Sequence, residues 1–146
     1  MDIVKIDNKN DYMDLLLEAD PSEEMVNKYL SVSDMYGIKK DNKIVCVAVI
    51  LGIDNETCEL KNISTKEQYR GQKLASKMIE YLFNTYKDKY KYMIVGTSEN
   101  MIPFYVLNGF TKYHKTIKNF FTDNYKEEII DNGHKCIDMY YYKKEL

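Results

Sequence analysis

The sequence predicts an α/β protein: a mixed sheet with helices packed on both of its faces. Three observations predict it. Residues Ile44-Val45-Cys46-Val47-Ala48-Val49-Ile50-Leu51 are continuously apolar, the mark of a central strand covered on both faces. Residues 72–86 place Leu74, Met78, Leu82 and Tyr86 at i, i+4 spacing, flanked by Ala75, Ile79 and Phe83, which is the clearest amphipathic helix of the chain. Strand-like and helix-like periods then follow one another in the order β-α-α-β-β-β-α-β-α-β-β. The chain has 146 residues with only 6 glycines and 2 prolines, and no repeat, linker or low-complexity tract divides it. It therefore reads as one domain over residues 1–146.

Residues 2–7 alternate apolar and polar side chains as a first strand. Asn10 or Asp11 offers an N-cap for a helix through Glu18, with Tyr12, Leu15, Leu16 and Ala19 on one side. Asp20-Pro21-Ser22-Glu23-Glu24 is a second helix start, with proline and acids in its first turn and Met25, Tyr29 and Leu30 on its apolar side. Residues 34–39 and 43–53 form a hairpin about Lys40-Asp41-Asn42. After the turn at Asp54-Asn55-Glu56, residues 57–65 alternate. Cys58, Leu60, Asn62 and Ser64 fall on one face, Glu59, Lys61, Ile63 and Thr65 on the other. Residues 92–97 read as a strand. Ser98 or Asn100 caps a short helix that stops at Asn108-Gly109. Residues 110–117 and 135–142 are two further strands. The intervening 118–134 is long for a hairpin loop, and such loops carry function or cover a site.

Composition narrows the function. The net charge of -2 argues against a nucleic-acid partner, which calls for a strong basic excess. The N-terminal residues have no apolar signal core, and the longest apolar run, 44–51, is too short to span a bilayer. Cys46, Cys58 and Cys136 are odd in number and form no C-x-x-C pair, so they read as reduced, structural and cytoplasmic. His114 and His134 lack partners at metal-ligand spacing and read as surface or strand residues; no metal is expected. Tyr140-Tyr141-Tyr142 reads as a terminal strand.

The most informative stretch is Gln68-Tyr69-Arg70-Gly71-Gln72-Lys73-Leu74-Ala75, between the strand at 57–65 and the helix at 72–86. It holds Arg70, the only arginine. A helix N-terminus leaves its first N–H groups unpaired and carries about half a positive charge. Gly71 permits a sharp turn, and the Arg70 guanidinium matches phosphate oxygens. The stretch thus suits phosphate binding, and equally an ordinary strand-to-helix connection. It is neither a P-loop, lacking Gly-Lys-Ser/Thr, nor a dinucleotide fingerprint, lacking further glycines.

Taken with the element order and with Phe104-Tyr105-Val106-Leu107-Asn108-Gly109-Phe110, this stretch resembles the GNAT superfamily of N-acetyltransferases. The first segment is similar to that family's acetyl-CoA loop, Gln/Arg-x-x-Gly-x-Gly/Ala. The second is similar to its helix carrying Tyr and closing on Gly-Phe. Lys73 departs from the pattern, standing where the family has Gly or Ala, and the segment 97–105 is shorter than the pattern.

The resemblance implies a mostly antiparallel sheet whose central strands 57–65 and 92–97 splay apart. It implies acetyl-CoA as cosubstrate, its pantetheine arm against the backbone of Ile63, Ser64 and Thr65. It sets the pyrophosphate on N–H groups of Arg70, Gly71, Gln72, Lys73, Leu74 and Ala75, with a further contact carried onto Asn100. A bound amine would attack directly, with backbone donors polarising the thioester carbonyl. Tyr105 is the implied general acid for the departing thiolate. Glu59 is the candidate general base; a water relay, or a Lys-paired structural carboxylate, are its alternatives.

Acceptor specificity is expected in residues 11–31 and in the loop 118–134, where Phe120, Phe121 and Tyr125 accompany Glu127, Glu128 and Asp131. Aromatics with acids suit a cationic amine; loop packing, or contact between copies in a homodimer, suits them equally. The expected activity is acetyl transfer to a small-molecule amine, with no membrane partner. The alternatives are a protein or peptide N-acetyltransferase, and a non-catalytic acyl-CoA-binding regulatory domain.

Overall fold

The structure is a computed structural model and describes residues 2–146. A seven-stranded sheet runs β1-β2-β3-β4-β5-β9-β6. Its strands are β1 (Asp2–Lys5), β2 (Asp34–Lys40), β3 (Lys43–Gly52), β4 (Thr57–Thr65), β5 (Tyr92–Thr97), β6 (Lys112–Ile117) and β9 (Met139–Glu145). Only β4 and β5 pair in parallel; every other neighbour is antiparallel.

The two faces bury separate cores. Helix α3 (Leu74–Tyr86) lays Leu74, Met78, Ile79, Leu82 and Tyr86 on one face, against Cys46, Ala48, Ile50, Cys58 and Leu60. Each such side chain contributes about 1.5–3 kcal/mol on burial, so this face anchors the helix. On the other face α1 (Met13–Ala19) and α2 (Glu23–Asn27) bring Leu15, Leu16 and Val26 over Val47 and Val49. Strand β3 supplies both cores, as its unbroken apolar run predicts.

Local chemistry explains several boundaries. Asp41 and Asn42 both have positive φ, which closes the β2–β3 hairpin on two residues. Ser22 caps α2, its hydroxyl accepting from the Met25 N–H. The first helix departs from expectation: a 3-10 turn, Lys9–Tyr12, precedes α1, and neither Asn10 nor Asp11 caps it. Asp11 instead accepts from the Asn8 amide, and Ala19 is exposed. A second 3-10 turn, Glu99–Met101, precedes α4 (Ile102–Leu107) without a side-chain cap from Ser98 or Asn100.

The 118–134 segment is more structured than a loop. It forms a short helix, α5 (Phe120–Asn124), and a small hairpin of β7 (Ile130–Asp131) and β8 (His134–Lys135) turned by Asn132 and Gly133 at positive φ. The last strand consequently begins at Met139, not at residue 135. Strand β6 begins at Lys112, not at residue 110.

Strand β4 corrects the strict alternation. Val49 pairs with Asn62 but Ile50 pairs with Leu60, so Lys61 is an extra residue, a β-bulge. Before it, Cys58 and Leu60 face α3 and Glu59 lies opposite Leu51, on the α1–α2 side. After it, Asn62 and Ser64 lie opposite Val49 and Val47 on the α1–α2 side, while Ile63 packs on the α3 side. Glu59 therefore does not share a face with Ile63 and Thr65.

Candidate active site

The bulge coincides with the place where the sheet opens. The β4–β5 ladder runs from Thr57 opposite Tyr92 to Leu60 opposite Val95 and stops there. Beyond it β4 stays paired with β3 through Thr65, and β5 with β9 through Thr97. The facing edges of residues 61–65 and 96–97 are left without a ladder partner. A cleft of about 970 Å³ occupies this wedge, bounded by Lys61, Ile63 and Thr65 on one side and by Val95, Gly96 and Thr97 on the other. Gly96 is needed for close approach: a Cβ there would stand 2.6 Å from the Met139 sulfur and 2.9 Å from the Tyr141 ring.

The head of α3 closes one end of the cleft. Gly71 has φ +80° and Lys73, the N-cap, has φ +61°. These two left-handed residues delay the helix start from 72 to Leu74. No cap side chain bonds to the helix N-terminus, and the N–H groups of residues 71–76 meet no protein acceptor among the described residues. Donors so concentrated at the positive end of a 13-residue helix form an anion cradle. A Cβ at Gly71 would meet nothing within 4 Å, so its glycine answers the backbone angle and not crowding.

Lys73 holds a left-handed angle at a cost of about 1–2 kcal/mol, which glycine would avoid. We therefore expect Lys73→Gly to raise Tm by about 2–8 °C and to keep acetyl-CoA affinity, since the backbone N–H remains. A fall in affinity with a raised Tm would show that the lysine side chain itself holds phosphate.

Ile63, Ser64, Thr65, Arg70, Gly71, Lys73, Leu74 and Ala75 all line the cleft; Gln72 and Asn100 do not. The Gln72 amide accepts from Lys40 on the β2–β3 hairpin. The Asn100 amide donates to the Asp131 carbonyl at 2.7 Å. The Arg70 fork is already engaged, Nε on the Thr65 carbonyl at 3.0 Å and an Nη on Glu18 at 3.1 Å. That ion pair is half-exposed and contributes about 0–1 kcal/mol. Its effect is to tie α1 to the end of β4.

Tyr105, on α4, lines the cleft and is half-buried. Its ring packs edge-on against Phe104 and Phe110, with centroids 5.1 and 5.9 Å away. Burial, reinforced by the Asp131 carboxylate, pushes its phenol up to about 12, so the proton stays on throughout the neutral range.

Glu59 is 7% exposed and stands behind the cleft wall, not on it. Its carboxylate pairs with Lys61 at 3.2 Å. Burial raises its pKa, against the pull of Lys61 and Lys115. Lys61, which does line the cleft, also lies over the Tyr29 ring at 5.1 Å.

The far end of the cleft is bridged by the 118–134 segment. Phe121 and Tyr125 stack at 5.9 Å and both line the cleft, and the Tyr125 hydroxyl donates to Asp20 at 2.8 Å. Asp20, Asn62 and Asp131 also line it. Glu127 and Glu128 are exposed and off it. Sequence reasoning passed over Asp20 as a helix-start residue and Asn62 as one of an alternating row. The signal in both was a polar side chain flanking an apolar run. No group of three or more His, Cys, Asp or Glu side chains that would hold a metal occurs among the described residues, and no described helix is long and apolar enough to cross a membrane.

The family profile of the acetyltransferase (GNAT) domain matches residues 31–112. The uncharacterized N-acetyltransferase YvbK of Bacillus subtilis (strain 168) is 29% identical over 137 residues, covering 91% of this chain and 88% of that protein. Among solved structures, a GNAT family acetyltransferase from Elizabethkingia anophelis with acetyl-CoA bound matches at TM-score 0.90 and 33% identity, over 99% of this chain and 97% of that one. The IAA acetyltransferase from Bacillus cereus ATCC 14579 matches at TM-score 0.86 and 27% identity, over 99% of this chain and 100% of that one.

Proposed function

The chain belongs to the GNAT acetyltransferase family, and from that premise we propose that it transfers the acetyl group of acetyl-CoA to a primary amine of a small molecule, by direct attack in a ternary complex. The observation that carries this reading is the free donor run at residues 71–76 beside the open strand edge at 61–65. A pyrophosphate and a pantetheine amide chain need that pair of features. The N–H groups at the head of α3 hold the pyrophosphate, and the backbone of Ile63, Ser64 and Thr65 takes the pantetheine arm as an added strand. Arg70 serves by fastening the α1 end to β4, with its guanidinium at the cleft wall. The residues present thus fit acetyl-CoA, which supplies an activated acetyl thioester.

In the transfer, the amine nitrogen bonds to the acetyl carbon and the carbon–sulfur bond breaks. Tyr105 gives its proton to the departing thiolate, and the proton lost by the amine restores it through solvent. Glu59 receives a proton through water and not by direct contact, because it stands behind the wall. Its raised pKa then places the rising limb of the pH–rate profile above the ordinary carboxylate range. Base catalysis needs the ionised form, so rate grows as pH passes upward through that pKa, and Glu59→Gln should abolish this limb. An unchanged limb would assign the base to the water chain alone.

The three buried free cysteines accord with a reducing, cytoplasmic setting. The test is incubation with acetyl-CoA and a panel of primary amines, read as amide product by mass. Product in equal amount to released CoA supports the reading. Binding of acetyl-CoA with no product from any amine would favour a regulatory acyl-CoA-binding domain.

A further inference from the structure

We infer that the acceptor is a primary amine bearing a second positive charge, held by the Asp20 and Asp131 carboxylates together with Asn62 Oδ1; this rests on the acetyltransferase reading and names its substrate class. Asn62 stands in the cleft wall and is 5% exposed. Its Nδ2 donates to the Leu16 carbonyl at 3.0 Å and to the Tyr29 hydroxyl at 3.2 Å. A carbonyl only accepts, so the amide orientation is settled and Oδ1 is left without a donor. It is the one such orphaned buried side-chain atom among the described residues. An unmet buried acceptor is costly, and a ligand N–H relieves it.

The two carboxylates share this condition. Asp20 accepts from the Tyr125 hydroxyl at 2.8 Å and the Ser22 N–H at 3.3 Å, and Asp131 from the Ser98 hydroxyl at 3.3 Å. Neither has a cationic partner within ion-pair distance among the described residues. Of the cleft's own cations, Lys61 pairs with Glu59 at 3.2 Å and Arg70 with Glu18 at 3.1 Å, and Lys73 is the N-cap residue of α3. The acceptor end is therefore a wall of hydrogen-bond acceptors, joined by the stacked faces of Phe121 and Tyr125, which attract an ammonium.

The attacking nitrogen must be neutral when it reacts. A monoamine at that moment leaves both carboxylates without a counter-charge, whereas a second ammonium on the same molecule supplies one.

Calorimetry on the CoA-saturated protein tests this, using α,ω-diamines from propane to hexane against monoamines of the same length. The best diamine should bind about tenfold tighter than its monoamine. Asp20→Asn and Asp131→Asn should each remove about that factor, and Glu24→Gln, exposed and off the cleft, should not. Equal affinity for diamine and monoamine, or a diamine preference that survives both cleft variants, overturns the inference. A thermal shift with CoA on each variant reads the fold and the nucleotide end separately. Transfer is followed in parallel: a diamine that binds without being acetylated would refute the acetyltransferase reading and leave the amine site standing.

Discussion

Tyr105→Phe is expected to lower turnover by about a hundredfold while leaving acetyl-CoA affinity unchanged. General acid catalysis is worth roughly two to four orders of magnitude, and this variant removes the proton without removing the ring. The ring's contacts with Phe104 and Phe110 persist, so stability should hold. The variant also separates two roles for the Tyr105 hydroxyl. If Tyr105 merely fills the wall, its hydroxyl is dispensable and turnover stays within twofold. If it is the acid, loss falls on kcat, not on cosubstrate binding, because the proton is needed only as the thiolate leaves. Because its phenol lies near 12, no falling limb attributable to Tyr105 should appear at neutral pH. Steady-state kinetics with a chromogenic thiol reagent, paired with calorimetric titration of acetyl-CoA, provides both readings.

The second large effect is on stability. Phe110 is fully buried, packs edge-on against Phe83 at 5.2 Å, and backs the Tyr105 ring. Its N–H donates to the Tyr105 carbonyl at 3.0 Å, so α4 and the strand beyond it are joined at this point. Phe110→Ala should cost about 3–5 kcal/mol, a fall in Tm of about 6–20 °C for a chain of this size. Turnover measured well below the new Tm should also drop if Tyr105 is the acid, since its ring loses one of its two aromatic supports. Leu107→Ala is the contrast: Leu107 is 86% exposed on the same helix and should leave both quantities within error. A Phe110→Ala protein as stable as the parent would mean that the cavity collapses onto Phe83.

The two cores were legible because their periods are long and clean. The i, i+4 row of α3 and the unbroken apolar run of β3 state which surfaces are covered, and both lie where periodicity places them. Strand β4 and β5 boundaries match residue for residue, since turn residues bracket each run. The failures share a physical origin, namely backbone irregularity that period alone does not encode. The bulge at Lys61 adds one residue to β4 and so moves Asn62 to the other face. Left-handed angles at Gly71 and Lys73 delay α3 by two residues. The β7–β8 hairpin takes Lys135, which periodicity assigned to the last strand, and that strand begins only at Met139.

The proposed nucleotide end of the cleft was readable because it depends on local backbone, a glycine and a helix start. The proposed acceptor end was not, because it is assembled by distance: Tyr125 reaches Asp20 across 105 positions of chain, and Asn62 reaches Leu16 across 46. Arg70 illustrates the same limit. Its charge drew attention as a phosphate ligand, while its pairing with Glu18 at 3.1 Å was not legible, because only the fold brings those two residues together.

The most direct test of the central claim is a thermal-shift titration of the intact chain with acetyl-CoA, with ATP as the control for generic phosphate binding. Binding restricted to the folded state adds about 2.7 kcal/mol at a hundredfold excess over Kd, a rise of about 5–10 °C here. A saturable rise with acetyl-CoA and none with ATP is the predicted result, because the proposed site pairs the pantetheine arm with the open β4 edge and does not rest on phosphate alone. No rise at millimolar acetyl-CoA, or an equal rise with ATP, would contradict the assignment of this cleft.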